Sequence, residues 1–270
     1  MTDFQQTALE CGADKVYLFD GAAVLLCAYA PFTNTLSAFY IASNRCYFAA
    51  KRFCARLCSE GFSAEIPELH LKRFLVENGA AVAGKNTLAY IDGFGSRFSM
   101  QLVACAGIAA RPFPAPPDGC GDCRACERAC PVSAITQDGF DRDKCIRQHM
   151  SGYEMSNDVM RSMTMLLGCE LCQSVCPKNR HITATEPPDD IKRLFLPESI
   201  LFDRCDGHKS ERAEYIGRNM LSRGRLKAQA LVLAANSRDA RFFNEARGLL
   251  GGTPCQISAA DYYLTRFNNK

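Results

Sequence analysis

The residues best suited to chemistry in this chain are cysteines set at fixed short intervals. Cys120, Cys123, Cys126 and Cys130 form a C-x2-C-x2-C-x3-C-P run closed by Pro131, and Cys169, Cys172 and Cys176 form a second, partial run closed by Pro177. Thiolates at this spacing suit [4Fe–4S] cubanes: three ligands from one tight loop each reach a different corner iron, and the fourth comes from farther away. In a two-cluster arrangement the cysteine before proline crosses to the other cluster. The second run lacks its first member, since Leu166 stands three residues before Cys169. The nearest thiol on the N-terminal side is Cys145, in Asp141-Arg142-Asp143-Lys144-Cys145. Cluster one is therefore expected on Cys120, Cys123, Cys126 and Cys176, and cluster two on Cys145, Cys169, Cys172 and Cys130. The stretch between Cys145 and Cys169 reads as an insertion with helical turns, whose apolar positions are Met155, Val159, Met160 and Met163.

Other uses of these thiols fit less well. Residues 1–15 lack the basic, apolar and cleavage-site succession of a signal peptide, and cysteine-rich runs without one usually bind metal rather than pair as disulfides. Structural zinc prefers two separated cysteine pairs. Cys11, Cys27, Cys46, Cys54, Cys58, Cys105, Cys205 and Cys255 are scattered and read as small buried hydrophobes. A chain with 16 cysteines and no disulfide framework fits a reducing cytoplasm.

At 270 residues the chain exceeds what two clusters need and has room for two or three small domains. The fold expected is α+β in three parts: an α/β domain over 1–112, a bacterial-ferredoxin-like two-cluster domain over 113–186, and a helical tail over 187–270. In the first, Thr2 or Asp3 caps a short helix ending near Gly12. Lys15–Phe19, Ala23–Ala30, Thr87–Ile91 and Arg97–Ala104 read as strands. In the last of these Phe98, Met100 and Leu102 alternate with polar residues, as a half-buried strand requires. Helical spacing runs from Asn44 to Glu60 through Cys46, Ala50, Phe53, Cys54, Leu57 and Cys58, and again from Pro67 to Asn78. The apolar run Ala22–Ala30 is far below the ~20 residues of a membrane helix, so no membrane partner is expected.

The stiff segment Arg111-Pro112-Phe113-Pro114-Ala115-Pro116-Pro117 marks one boundary, and Glu186-Pro187-Pro188 marks a second. Beyond it, Tyr215, Ile216, Met220 and Leu221 form one apolar stripe and Leu226, Ala230, Leu231 and Ala234 the next, suggesting HEAT-like helix pairs. The net charge of +3 names no partner. Between Arg204 and Gly248, however, ten Lys/Arg stand against five Asp/Glu. That excess reads either as phosphate contact or as a solvated helix face.

Gly84-Lys85-Asn86-Thr87-Leu88, Gly95-Ser96-Arg97-Phe98, the run Cys120–Pro131, Cys145, and Gly168-Cys169-Glu170-Leu171-Cys172-Gln173-Ser174-Val175-Cys176-Pro177 follow one another in an order that resembles the epoxyqueuosine reductase family. Ile216-Gly217-Arg218-Asn219 and Ala235-Asn236 are similar to that family's HEAT-like tail. The resemblance implies a nitroreductase-like N-terminal domain that holds cobalamin. Two [4Fe–4S] clusters pass electrons to it, and the epoxide oxygen of epoxyqueuosine is removed in a tRNA anticodon loop. Reductive dehalogenases are a related branch with the same cofactor set.

The family's proton donor is an aspartate about twenty residues before its Gly-Lys motif, and the matching position here is Glu65. Its extra methylene moves the carboxyl by roughly an ångström, a displacement that matters to proton transfer. Lys85 is the second catalytic candidate, and Lys85, Asn86 and Ser96 are the cofactor-binding candidates. Two departures point to a short paralogue: the N-terminal domain is shorter than the family's, and Phe39-Tyr40-Ile41-Ala42-Ser43-Asn44 replaces an aromatic and charged segment. The partners expected are an electron donor of flavodoxin or ferredoxin type and a tRNA or corrinoid protein. The alternative is a ferredoxin-type electron-transfer protein with no catalytic site of its own.

Overall fold

The computed structural model describes residues 2–150, 152–203 and 206–268, so the expectations for Arg204 and Cys205 lie outside the described residues. The chain divides into two compact units, one of Met1–Ala30, Ile41–Arg124 and Cys176–Thr183, the other of Pro31–Tyr40, Ala125–Val175 and Ala184–Lys270.

In the first unit Asp3 caps α1 (Phe4–Glu10) by accepting from the Gln5 and Gln6 N–H groups, which supplies partners to otherwise orphaned donors. A four-stranded sheet follows in the order β1 (Lys15–Phe19), β2 (Ala22–Ala28), β6 (Phe98–Cys105), β3 (Ala64–Glu65). Every pairing in it is antiparallel, so the architecture is α+β.

The apolar run of β2 is buried on both faces, with Ala23 through Cys27 fully inaccessible. β6 differs from the half-buried strand its alternation suggests. Val103 and Cys105 join a core with Leu25, Cys46 and Phe53, while Phe98 and Leu102 join a second core with Val24, Leu26 and Ile91. Its polar alternates include Ser99 and the buried Arg97 just before it, so polarity marked a sandwiched strand, not a solvent face.

Helix α2 (Phe39–Ser59) places Ala42, Cys46, Ala49, Ala50, Phe53 and Leu57 inward, as a 3.6-residue period requires. It begins at Phe39 rather than Asn44. The Phe39 N–H donates to Ser37 Oγ (3.3 Å), a start signal set by a polar side chain and invisible to the apolar period. α3 (Leu71–Glu77) is shorter than expected and stops before Gly79, whose φ is +71°. β4 (Val82–Ala83) and β5 (Ala89–Tyr90) make a separate two-stranded ribbon.

The second unit carries α4 (Ala125–Ala129), the hairpin β7 (Ile135–Thr136) and β8 (Gly139–Phe140), α5 (Ile146–Met150), α6 (Asn157–Ser162) and α7 (Leu171–Ser174). The expected apolar positions Met155, Val159, Met160 and Met163 are all buried. Its remaining helices are α8 (Asp189–Phe195), α9 (Pro197–Leu201), α10 (Lys209–Ile216), α11 (Arg225–Asn236), α12 (Phe243–Leu249) and α13 (Pro254–Asn268).

The stripe expected over Tyr215–Leu221 is broken, because Gly217 at φ +80° ends α10 after Ile216 and Met220 falls on a 3-10 segment. α11 is buried from Ala228 to Ala235 and packs against α9 and α13. Gln229, 1% exposed, bridges backbone groups there: its amide donates to Met150 O and accepts from Leu167 N–H, both at 2.9 Å. Among the described residues no helix is long and apolar enough to cross a membrane.

Candidate iron–sulfur centres

All eight motif cysteines are outside disulfides. In the second unit, Cys130 follows α4 directly, and its sulfur accepts the Ala134 N–H at 3.2 Å. Cys145 closes a 3-10 turn over Arg142–Lys144 that Asp141 opens by accepting from the Asp143 N–H. Burial pushes the Cys169 thiol up, the Leu171 N–H pulls it back, and the neighbouring sulfurs of Cys145 and Cys130 push it up further. Cys130, Cys145 and Cys169, three of the four thiols expected on cluster two, are thus neighbours. The fourth, Cys172, lies on α7, which packs on α4.

The turn before Cys172 is fixed by Glu170, 4% exposed, which accepts the Ser37 hydroxyl at 2.6 Å. A side chain on Gly168 would strike that same Ser37. Among the described residues no three metal-ligating side chains converge as a single-ion site. Cubane ligands bind different irons and need no such convergence.

Cys120, Cys123 and Cys176 lie in the first unit and Cys126 in the second. The Cys123 N–H donates to Cys120 O (3.0 Å), closing the tight loop. Lys85 Nζ donates to Cys123 O at 3.1 Å.

Asn86 and Ser96 are buried, and both turn to the phenol of Tyr90, itself 1% exposed. Asn86 Nδ2 donates to the phenolic oxygen at 3.0 Å. Asn179 holds Ser96 by two bonds, accepting its N–H (2.9 Å) and donating to its hydroxyl (3.0 Å). Burial and the adjacent Cys176 sulfur push the Tyr90 phenol far above its ordinary range.

Lys85, Asn86 and Ser96 are therefore brought to the surroundings of Cys123 and Cys176. Glu65 is exposed on the edge strand β3 opposite Ala104 and, among the described residues, shares no hydrogen bond with that network. Tyr90, Asn179 and Glu170 were not legible as site residues. The one available signal was Asn179, two residues beyond the second Cys-Pro step.

Near the same network the first unit opens a groove of about 360 Å³ lined by Tyr29, Gly93, Phe94, Arg97, His181 and Ile182. Arg97 is 2% exposed, with its guanidinium 5.9 Å from the Tyr29 ring centre. A His181 ring nitrogen sits 3.0 Å from Gly93 O. The volume is at the low end for a small-molecule site.

An antiparallel α+β frame with a doubled cysteine motif defines a two-cluster iron–sulfur protein, and the profile of the 4Fe-4S double cluster binding domain matches residues 119–179. More particularly, the chain is similar to epoxyqueuosine reductases. It is 31% identical to that of Staphylococcus aureus (strain NCTC 8325 / PS 47) over 151 residues, which are 51% of this chain and 38% of the relative. The matched segment thus spans well under half of that protein's length.

The fold match runs wider. The structure of epoxyqueuosine reductase from Streptococcus thermophilus superposes with a TM-score of 0.78 at 18% identity, covering 99% of this chain and 90% of the other. A crystal structure of epoxyqueuosine reductase with an epoxyqueuosine-modified tRNA-Tyr stem loop gives 0.75 at 16% identity, covering 98% and 89%. These set the α+β fold.

Proposed function

We propose that this chain is an iron–sulfur reductase of the epoxyqueuosine reductase type. It takes single electrons from a flavodoxin- or ferredoxin-type donor through two [4Fe–4S] clusters to a cofactor or substrate at the N-terminal region. The observation that carries the reading is the doubled cysteine motif, matched over residues 119–179 by the 4Fe-4S double cluster binding domain, with Cys145 offset to replace a cysteine at Leu166. On this reading cluster one takes Cys120, Cys123, Cys126 and Cys176, and cluster two takes Cys130, Cys145, Cys169 and Cys172. The clusters supply one-electron transfer when bound.

The chain's own residues set their surroundings. Lys85 steadies the Cys123 loop through its carbonyl, and Asn86 and Ser96 orient Tyr90 toward Cys176. Glu65, on an exposed edge, is open to solvent for proton uptake.

Cobalamin, the nitroreductase-like identity of the sheet unit, the HEAT-like identity of α10 to α13 and a tRNA substrate belong to the same proposal and rest on the resemblance. Of the basic tail, Lys209, Lys227, Arg212 and Arg241 pair with Asp206, Asp203 and Asp239. Arg218, Arg223, Arg238 and Arg247 are exposed and available to phosphates.

Iron, sulfide and cobalt content on one anaerobic preparation from cobalamin-supplied cells tests the reading. About eight irons and about one cobalt per chain support a corrinoid-dependent reductase. Eight irons without cobalt favour the ferredoxin-type electron carrier. About four irons overturn the two-cluster assignment.

A further inference from the structure

We propose that Lys178 and Lys85 are positioning residues that clamp the Cys120–Cys123 loop from its two ends, and that their ammonium charges raise the reduction potential of the cluster borne by Cys120, Cys123 and Cys176. The inference rests on those cysteines being cluster ligands, as read above.

The loop relies on donors from elsewhere in the first unit. Residues 111–120 form no helix or strand, and the loop's own closure is the bond from the Cys123 N–H to Cys120 O. Upstream, the Phe113 ring anchors the chain against Tyr17 and Phe19, at 5.2 and 5.4 Å between ring centres. Beyond Phe113 two lysines meet the loop's carbonyls. Lys178 Nζ donates to Asp118 O, two residues before Cys120. Lys85 Nζ donates to Cys123 O at 3.1 Å, on a ligand residue itself.

Both lysines stand on fixed backbone. Lys85 occupies the tight turn between β4 and β5, closed by the Gly84 N–H to Leu88 O (2.9 Å) and the Thr87 N–H to Gly84 O (2.8 Å). Lys178 lies on the 3-10 turn Pro177–Asn179. The Asn179 N–H donates to Cys176 O at 3.0 Å, and the Asn179 side chain grips Ser96. The Lys178 carbonyl lies so close to Gly95 that a Cβ there would come within 2.8 Å of it. Because Lys178 is two residues from Cys176, its bond to Asp118 ties the segment of the remote ligand to the loop of the near ones.

Water or a neutral side chain could satisfy the same carbonyls, and fixing a lysine costs more side-chain entropy than fixing a shorter donor. What two ammonium groups add is charge. Three thiolates already make the place negative, and the cluster takes one electron from the flavodoxin- or ferredoxin-type donor. No proton moves and no bond changes in that step, so the reduced form is one unit more negative and nearby cations favour it. Both lysines are half-buried, whereas Asp118, Asp122 and Arg124 of the same loop are exposed. Solvent and salt therefore screen the lysine charges less than those of their neighbours.

The test is a redox titration of the cluster-loaded protein, followed by paramagnetic resonance, on Lys178→Met, Lys85→Met and the double variant, with Lys178→Arg and Lys85→Arg beside them. Methionine keeps much of the stem and removes charge and donor; arginine keeps both. With iron and sulfide unchanged, one midpoint potential is expected to fall in each methionine variant, the same one in both, and farther in the double variant. The arginine variants are expected to keep it, and the other midpoint stays throughout. A purely structural hold would lower Tm or loading and leave the potentials alone. Fully loaded methionine variants with both potentials unmoved overturn the inference.

Should the methionine variants lose the cluster, the arginine variants decide. Loading retained with arginine is the expected result, and loss of the cluster there as well overturns the inference, since charge and donor are then present without the hold. Cys176→Ser tests the ligand reading separately: full loading with both clusters unaltered there would sink the assignment of Cys176, whatever the lysines do.

Discussion

The cysteine segments of the two units are held by different kinds of donor. In the second unit the Cys130 sulfur accepts the Ala134 N–H, a backbone donor of its own short loop that forms whenever that loop forms. In the first unit the segment after Cys176 is tied down through a side chain: the Asn179 N–H donates to Cys176 O, and the Asn179 side-chain amide accepts the Ser96 N–H and donates to the Ser96 hydroxyl. Only proline removes a backbone donor, whereas a side-chain donor can be changed one residue at a time. The second unit's Cys130 loop thus holds itself, and the first unit's Cys176 segment depends on residues distant in sequence.

The comparison is broken most severely by removing a ligand. Cys145→Ala is expected to halve iron and sulfide, from about eight to about four irons per chain, and to leave the Cys176 surroundings in place. Retention of both clusters in that variant refutes Cys145 as a ligand and removes the second unit's claim to a complete set.

The units also differ in how charge enters their hold. Arg212 and Asp203 form a buried ion pair at 2.8 Å, with side chains 4% and 8% exposed, and Arg212 donates further to Leu194 O and Ser199 O. Burial pushes the Asp203 carboxyl up, but the His208 and Gly207 N–H groups and the guanidinium outweigh it and hold it below the usual carboxylate range. A lowered native value means the stabilisation is complete above that range and is lost as pH falls through the lowered value.

Arg212→Met, which strands the carboxylate, is expected to cost about 3–5 kcal/mol, read by denaturant melts followed at a probe in the second unit. Asn86, Ser96 and Asn179 carry no titrating group, so their hold on Tyr90 keeps its strength through the same acid titration. Equal acid sensitivity of the two units would show that the ion pair does not set the difference.

Gly95→Ala probes the first unit in return. Gly95 has φ +54°, and an added Cβ would meet Asn179 Oδ1 and, at 2.8 Å, the Lys178 carbonyl. Strained backbone and a displaced buried amide together are expected to cost about 2–3 kcal/mol. The cost should appear as a lower Tm with iron content retained. An unchanged Tm would mean that Asn179 is free to move and that the hold on Ser96 is loose.

What the sequence made legible follows the same division. The cysteine runs stood out because a cubane demands short intervals, and the gap at Leu166 pointed by the same arithmetic to Cys145 as the proposed replacement. Buried β2 and the inward face of α2 were legible through period and hydropathy. The start of α2 at Phe39 was not, because Ser37 Oγ sets it. Nor was the double burial of β6, because Arg97 and Ser99 look like solvent-facing residues until a second layer is known to cover them. Asn86 and Ser96 stood out by motif, but Tyr90 is an ordinary strand aromatic whose place against Cys176 comes from tertiary packing. Contacts of that range leave no periodic mark.

The smallest effect expected comes from Gln229→Leu, and it isolates backbone holding from cluster ligation. Gln229 is not one of the proposed cluster ligands. It fastens the segment before Gly168-Cys169 by accepting the Leu167 N–H, and it fastens the end of α5 by donating to Met150 O. Leucine fills a similar volume and leaves both backbone groups buried without their partner, a loss of about 1–3 kcal/mol. Because Leu167 takes a positive φ of 64°, the turn it occupies relies on that bond more than an extended residue would. A lower Tm with both clusters loaded and both potentials unchanged is the expected result. A lost or altered cluster in Gln229→Leu would instead mean that the second unit's cysteine loops depend on side-chain packing as the Cys176 segment does, which would erase the distinction between the two units.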